Sequence, residues 1–351
     1  MNKLFSRITL QEKILFCRHL SIAIKSGMSL IDSLKMIRNQ SKSKSFVRVL
    51  NSLIFDISNG NFLSRGLEKF QNTFGALFIS VIKIAEVSGT LSENLNYLAE
   101  ELKKRQQIKS KVRSALIYPA VIMVVTVVIA VSMMVFVFPK LLPIFKSLKV
   151  GLPLTTRLLI AIANFLANYG IWALLAVAAA VIGCRLLLKL KPFRYFFHKI
   201  LIYTPIFGTI VVEVNIVNAA RTLSLLLRSG VKIVESIKIT ASTLVNLVYQ
   251  REFGLAGDLV RKGGFFSKYL VERPKYFPAI FVNMVEVGEN TGNLTQNLDY
   301  LSEYYEGEVD EFVKNLSGIL EPILLIFMGI VVGFIALSFI TPIYKLTQGV
   351  R

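Results

Sequence analysis

Two glutamates stand in a motif that the chain carries twice. Glu86 lies in "IAEVSGTLSENLNYL" (residues 84–98) and Glu289 in "VGENTGNLTQNLDYL" (residues 287–301), both of the form Glu-x-x-Gly-x-Leu-x-x-Asn-Leu-x-Tyr-Leu. A carboxylate three residues before a helix-ending glycine faces the negative end of the helix dipole, at a cost of about 0.3–1 kcal/mol. Its presence in both copies therefore calls for a partner: a cation on a neighbouring helix of the same bundle, or a partner subunit or bound cation. A third acid, Glu321, opens the last apolar run, where the earlier copy has Tyr118. A carboxylate so placed either reaches the headgroup region or faces a protein neighbour, and the expectation is that Glu321 pairs with one, within an oligomer or on an incoming subunit.

The remaining reactive side chains point to no reaction. His19 and His198 are isolated, and Cys17 and Cys184 lack the paired spacing of a disulfide framework or zinc site. No phosphate-cradling Gly-x-x-x-x-Gly-Lys-Ser/Thr loop, no His-Glu-x-x-His and no Gly-x-Ser-x-Gly occurs. Gly263-Gly264 reads as a turn that matches Gly60-Asn61. No catalytic residue, cofactor or metal is expected, and a step that consumes energy would need a separate ATPase.

The elements that must position these acids are set by hydropathy. With 351 residues, 54% of them hydrophobic and only 18% charged, the chain is too apolar for an ordinary soluble protein. Three segments reach the ~20 apolar residues a bilayer crossing requires: 114–138, 165–188 and 317–344. The net charge of +19 decides nothing alone, since membrane proteins concentrate Lys and Arg beside their spans; nucleic acid is not expected as a partner. Lys103, Lys104, Arg105, Lys109, Lys111 and Arg113, just before the first span, would meet anionic lipid or an acidic protein surface. "KPFRYFFHK" reads as a membrane-interface anchor, and charges interrupting "MNKLFSRITLQEKILFCRHL" argue against a cleavable signal sequence.

The duplication has a fixed offset. Gly27 and Gly230, Gly89 and Gly292, Pro119 and Pro322, and Pro139 and Pro342 are each 203 positions apart (230 − 27, 292 − 89, 322 − 119, 342 − 139). A period this long means duplication of a whole folded unit. Apolar residues at three- and four-residue spacing make each unit helical, with about six helices. Gly89 and Gly292 suit the left-handed position that ends a helix. Thr90 with Glu93, Asn293 with Gln296 and Ser29 with Asp32 have capping spacing, which Lys232 with Glu235 has lost.

The expected architecture is thus an all-α membrane protein: a helical domain (1–113), a span (114–138), a short periplasmic loop (139–164), a span (165–188), a second helical domain (189–316), a span (317–344) and a short periplasmic tail (345–351). Copies that each feed a span enter the membrane from one side, so the middle span returns the chain. Basic residues in "KKRQQIKSKVR" and "RLLLKLKPFRYFFHK" put both domains and the N-terminus in the cytoplasm and the C-terminus in the periplasm.

The duplicated "AEVSGTLSENL" and "GENTGNLTQNL", with "LIYPAVI", "LEPILLIFMGIVVG" and "LPLTTRLL", resemble the polytopic inner-membrane platform proteins of type II secretion and type IV pilus machines, the secretion F-protein family. The resemblance implies two cytoplasmic six-helix domains and three spans in a bacterial inner-membrane scaffold. It also implies association with a hexameric assembly ATPase, pilin or pseudopilin subunits, other inner-membrane assembly proteins and further copies of itself, with Glu321 facing another copy or an incoming pilin. Ala85 stands where the family has glycine, as Gly288 still does, so the first domain is expected to turn slightly differently. The rival reading is a small-solute transporter with internal repeats, for which three spans with sparse polar groups leave little room.

Overall fold

The structure, a computed structural model, describes residues 8–137, 140, 154–205 and 207–349. Among them every regular element is a helix. The first repeat comprises α1 (Leu10–Lys25), α2 (Leu30–Gln40), α3 (Lys44–Ser58), α4 (Leu63–Glu68), α5 (Gln71–Phe74), α6 (Ala76–Ser88) and the first part of α7 (Leu91–Ser132), which ends in a π-helical turn, Met133–Val137. Next come α8 (Leu154–Leu187) and α9 (Lys191–Tyr203). The second repeat comprises α10 (Phe207–Arg228), α11 (Ile233–Thr243), α12 (Leu247–Arg261), α13 (Phe266–Val271), α14 (Ala279–Thr291) and the first part of α15 (Leu294–Gly349).

The offset of 203 holds for structure as well as sequence. Helices α2, α3, α4 and α6 reappear as α11, α12, α13 and α14 with both ends shifted by that number. The matched turns Gly27/Gly230, Gly60/Gly263 and Gly89/Gly292 all have positive φ, between 72° and 89°. Only glycine enters that region without a Cβ penalty, so these three turns fix where successive helices stop in both copies. One turn differs: Pro274 and Pro278 replace Gln71 and Gly75, and the second repeat, which cannot make the bond that the Gly75 amide donates to the Gln71 carbonyl at 2.8 Å, has turns where the first has α5.

Each repeat closes over its own aromatic cluster. In the first, Phe16 lies 5.9 Å from Phe46, and Phe74 4.9 Å from Phe78, by ring centroids. In the second, Phe277 lies 5.9 Å from Tyr249, 5.8 Å from Phe253 and 6.2 Å from Phe281. Each fully buried ring contributes about 1.5–3 kcal/mol of burial. Reciprocal capping is seen at Thr9 and Glu12, and Ser29 caps α2 by accepting from the Asp32 amide at 3.1 Å. Thr90 is engaged by the Ser88 hydroxyl and the Asn94 amide rather than by Glu93, while Lys232 supplies no cap, as its side chain dictates.

Residues 8–110 and 194–310, which hold both repeats, form one compact unit; residues 111–193 and 311–349 form another. In the latter, Leu159 and Ala163 of α8 pack with Met134, Phe334 and Phe339, and Thr156 donates to the Ser338 carbonyl at 3.0 Å. Residues 154–164, expected as loop, are helical, because "LTTRLLIAIAN" is apolar and free of glycine and proline. Of the expected tail, 345–349 continue α15. The rest of the loop, apart from Lys140, lies outside the described residues.

Among the described residues four helices are long and apolar enough to cross a membrane, one more than expected: Leu91–Val137, Asn168–Leu187, Gly208–Arg228 and Leu294–Thr341. The additional one, in α10, has 56% of its apolar window buried inside the protein. Its hydrophobicity serves the repeat core, as the structural counterpart of α1.

Candidate functional site: carboxylate caps and a buried seam

Glu86 and Glu289 do the same job in the two repeats. The Glu86 carboxylate accepts hydrogen bonds from the amides of Leu63 (2.5 Å) and Ser64 (2.9 Å), and that of Glu289 from Phe266 (2.7 Å) and Ser267 (2.8 Å). These are first-turn amides of α4 and α13, whose N-cap residues, Phe62 and Phe265, offer no side-chain acceptor. Each glutamate thus closes the N-terminus of a helix that cannot cap itself, and its negative charge sits at that helix's positive end. Charge-assisted bonds of this kind contribute about 1.5–3 kcal/mol each, which outweighs the unfavourable dipole at its own helix end. Among the described residues the partners of both carboxylates are thus backbone amides.

Gly89 and Gly292 make the left-handed turns that follow, with φ of 72° and 73°. The neighbouring position distinguishes the copies. A Cβ on Gly288 would lie 2.8 Å from the Leu294 Cα, whereas Ala85 is accommodated, fully buried, in the first repeat. The start of α15 therefore packs more tightly against α14 than α7 does against α6. Pro119 lies inside α7 and Pro322 inside α15, and neither ends its helix. Glu321 is exposed on α15, as is Tyr118 on α7.

The site that sequence reasoning missed joins the two repeats. Arg221 of α10 places Nη2 2.6 Å from Glu306 Oε2 and Nε 3.5 Å from Glu101 Oε2. Arg105 lies 3.7 Å from Glu101 and donates to the Thr222 hydroxyl at 3.2 Å, while Lys104 lies 3.9 Å from Glu306. Beside this cluster Ser229 bonds Asn94, and Arg228 pairs with Asp299 and stacks over the Tyr97 ring, 5.2 Å from its centroid. Apolar residues of the second repeat, Leu225, Leu226, Val231 and Ile239, join the core of the first.

Glu101 and Arg221 are buried, yet both Glu101 oxygens and Arg221 Nε and Nη1 have no hydrogen-bond partner among the described residues. Burial pushes the Glu101 carboxyl up, while Arg105, Arg221 and Lys104 pull it down. A buried ion cluster with this much unsatisfied valence costs nearly what it returns, so its value lies in fixing how the repeats register. The available signal was a lone arginine inside "NAARTLSLLL", an otherwise apolar helical stretch.

His198 also has a structural task. Its Nδ1 accepts from the Leu247 amide at 3.0 Å, closing α12 beside Asn246, which takes the next amide. Arg194 donates to the Val245 carbonyl at 3.2 Å, so α9 is fastened to the second repeat by its polar side. Phe196, Phe197 and Ile200 are left exposed on its other side, while the Tyr203 ring takes Lys275 Nζ 4.6 Å from its centroid.

The family described as Type II secretion system (T2SS), protein F matches residues 16–139 and again 219–342. The two matches are 203 residues apart at both ends (219 − 16 and 342 − 139) and together span most of the chain. The chain belongs to the type II secretion protein F family. It is 31% identical to the type IV pilus assembly protein PilC of Thermus thermophilus over 96% of this chain and 83% of that protein. It is 30% identical to the type II secretion system protein F of Pseudomonas aeruginosa, over 97% and 84% respectively. A PilC from Myxococcus xanthus is 26% identical over 99% of the chain. The secretion F-family platform proteins are multi-pass proteins of the inner membrane, and the chain is one of them. Its duplicated motif, its caps and its seam are thus features of a member of pilus and secretion assembly machinery.

Proposed function

We propose that the chain is a non-enzymatic platform with two cytoplasmic helical repeats and three spans, near 114–138, 165–188 and 317–344. It couples a hexameric assembly ATPase to the extraction and polymerisation of pilin or pseudopilin subunits. The observation that carries this reading is that the last helix of each repeat, α7 and α15, runs without interruption from a motif at the repeat's core into an apolar stretch of spanning length. Motion imposed on the repeats would pass into those helices without a flexible linker to absorb it.

Charge supports a cytoplasmic location for the repeats and the N-terminus, with the C-terminus periplasmic: residues 1–113 carry 19 Lys and Arg against 8 Asp and Glu. The exposed aromatic side of α9, three residues after α8 ends, fits the interfacial layer of the cytoplasmic leaflet. Glu321 and Tyr118, exposed at matching places, suit contact with an incoming subunit or a second copy.

The test is co-purification of the tagged protein from membranes in mild detergent, with mass spectrometry of what accompanies it. Recovery of a hexameric ATPase together with pilin-like subunits is expected. A solitary protein that moves a small solute in proteoliposomes would replace the platform with a transporter.

A further inference from the structure

The seam between the repeats is not symmetric. It brings together α10 and α11 of the second repeat and α6 and α7 of the first. The corresponding faces, α1 and α2 of the first repeat and α14 and α15 of the second, are left uncovered among the described residues. Residue by residue the contrast is large: Leu225 is 7% exposed and its counterpart Ile22 57%, Val231 3% and its counterpart Met28 41%. On the opposite face Val287 and Tyr300, counterparts of the part-buried Ile84 and Tyr97, are 50% and 55% exposed.

An interface formed by two different faces of a repeated unit leaves one of each unsatisfied at the two ends. We infer that the two uncovered faces bind each other between chains, α14 and α15 of one copy docking on α1 and α2 of a second in the arrangement that the seam already shows.

The side chains needed for that docking are present. Ser229 and Asn94 correspond to Ser26 and Asn297, so the hydrogen bond can form again. Arg228 over Tyr97 becomes Lys25 over Tyr300, which keeps a cation on an aromatic face. Arg105 with Thr222 becomes Glu308 with His19, and Glu101 with Arg221 becomes Tyr304 with Arg18, each still a donor facing an acceptor. The apolar contacts pass to Ile22 and Met28 against Val287. The inference depends on the repeat geometry alone and holds whether or not the chain is a pilus platform.

The experiment is disulfide trapping in the full-length protein in native membranes, with Cys184→Ser to remove the exposed thiol. Two differently tagged chains, one carrying Ser26→Cys and the other Asn297→Cys, are expressed together. A cross-linked pair containing both tags is expected, with little product from either chain alone. In a separate control, Asn94→Cys with Ser229→Cys in one chain reports an intact seam by forming an internal disulfide. Absence of the mixed product while the control forms would overturn the inference, as would equal cross-linking of the Ser26→Cys chain to itself. A charge at the exposed Ile22, Ile22→Asp, should weaken association at least about tenfold while the internal control still forms. Unchanged association would also overturn the inference.

Discussion

The hydroxyl of Ser229 donates to the side-chain oxygen of Asn94 at 2.5 Å, out of contact with water. The residue that follows α10 in the second repeat thereby holds the asparagine of the duplicated motif in the first. Replacing Ser229 leaves the Asn94 oxygen without its donor, and replacing Asn94 removes both this bond and those its amide makes to Thr90, while the Ser229 hydroxyl keeps the Leu225 carbonyl. Asn94→Ala is expected to lower stability by about 1–3 kcal/mol. A double-mutant cycle with Ser229→Ala, read by thermal unfolding in mild detergent, should return a coupling of about 1 kcal/mol; independent effects would place the bond outside the stabilising contacts.

Arg221 separates the buried Glu101 from the part-buried Glu306. Arg221→Met removes one of the cations acting on the buried Glu101 and leaves it with Arg105, 3.7 Å away, and Lys104, so a loss of about 3–5 kcal/mol is expected. Adding Glu101→Gln to that variant should recover a large part of it, because the uncompensated charge is then gone. Denaturant unfolding of the three variants checks the order: wild type, then the double variant, then Arg221→Met.

The glutamate caps predict a local effect. In Glu86→Gln or Glu289→Gln one carboxylate oxygen becomes an NH2 donor facing an amide donor, and a loss of about 1–3 kcal/mol follows. Hydrogen exchange should quicken at Leu63 and Ser64 in the first variant and at Phe266 and Ser267 in the second, with the other repeat unaffected. Quickening in both repeats from one substitution would show that the caps are not local devices.

Position 288 tells the copies apart. Gly288→Ala forces a Cβ to 2.8 Å from the Leu294 Cα, so a loss of about 1–3 kcal/mol is expected. Ala85→Gly, the reverse change in the first repeat, should cost only about 1 kcal/mol through backbone entropy and lost burial. Melting temperatures of the two variants decide; equal shifts would mean that α15 yields as readily as α7.

A pH effect follows from His198. Burial, with a smaller contribution from Arg194, holds its imidazole below the usual value, which keeps Nδ1 free to accept from Leu247. The unfolded chain binds that proton more readily, so the stabilisation is full above about pH 6.5 and is lost as pH falls through the lowered folded value. His198→Gln, whose amide oxygen can still accept, should flatten the decline between about pH 7 and pH 5. Melting curves at the two pH values check it.

Much of this is legible in the sequence. The offset of 203, the helical class and the glycine turns follow from a repeated pattern and from the φ that only glycine adopts freely. The number and partners of the glutamate contacts are not, because the amides of Leu63 and Ser64 lie 23 and 22 residues from Glu86 and carry no sequence mark. The seam was hidden for a different reason. Glu101 and Arg105 sit in "AEELKKRQQ", where a run of charges reads as a solvated face, and only the second repeat covers it. Helix α10 had the opposite problem, since an apolar stretch of its length satisfies a bilayer or a protein core equally well.

The distant caps also set an order of events during synthesis. Helix α4 leaves the ribosome more than twenty residues ahead of the carboxylate that completes it, so its first turn is finished only when α6 has arrived. That arrival precedes emergence of the 114–138 apolar run. The cap of the first repeat can therefore be complete before its own span emerges, and the second repeat follows the same order relative to its span 203 residues later.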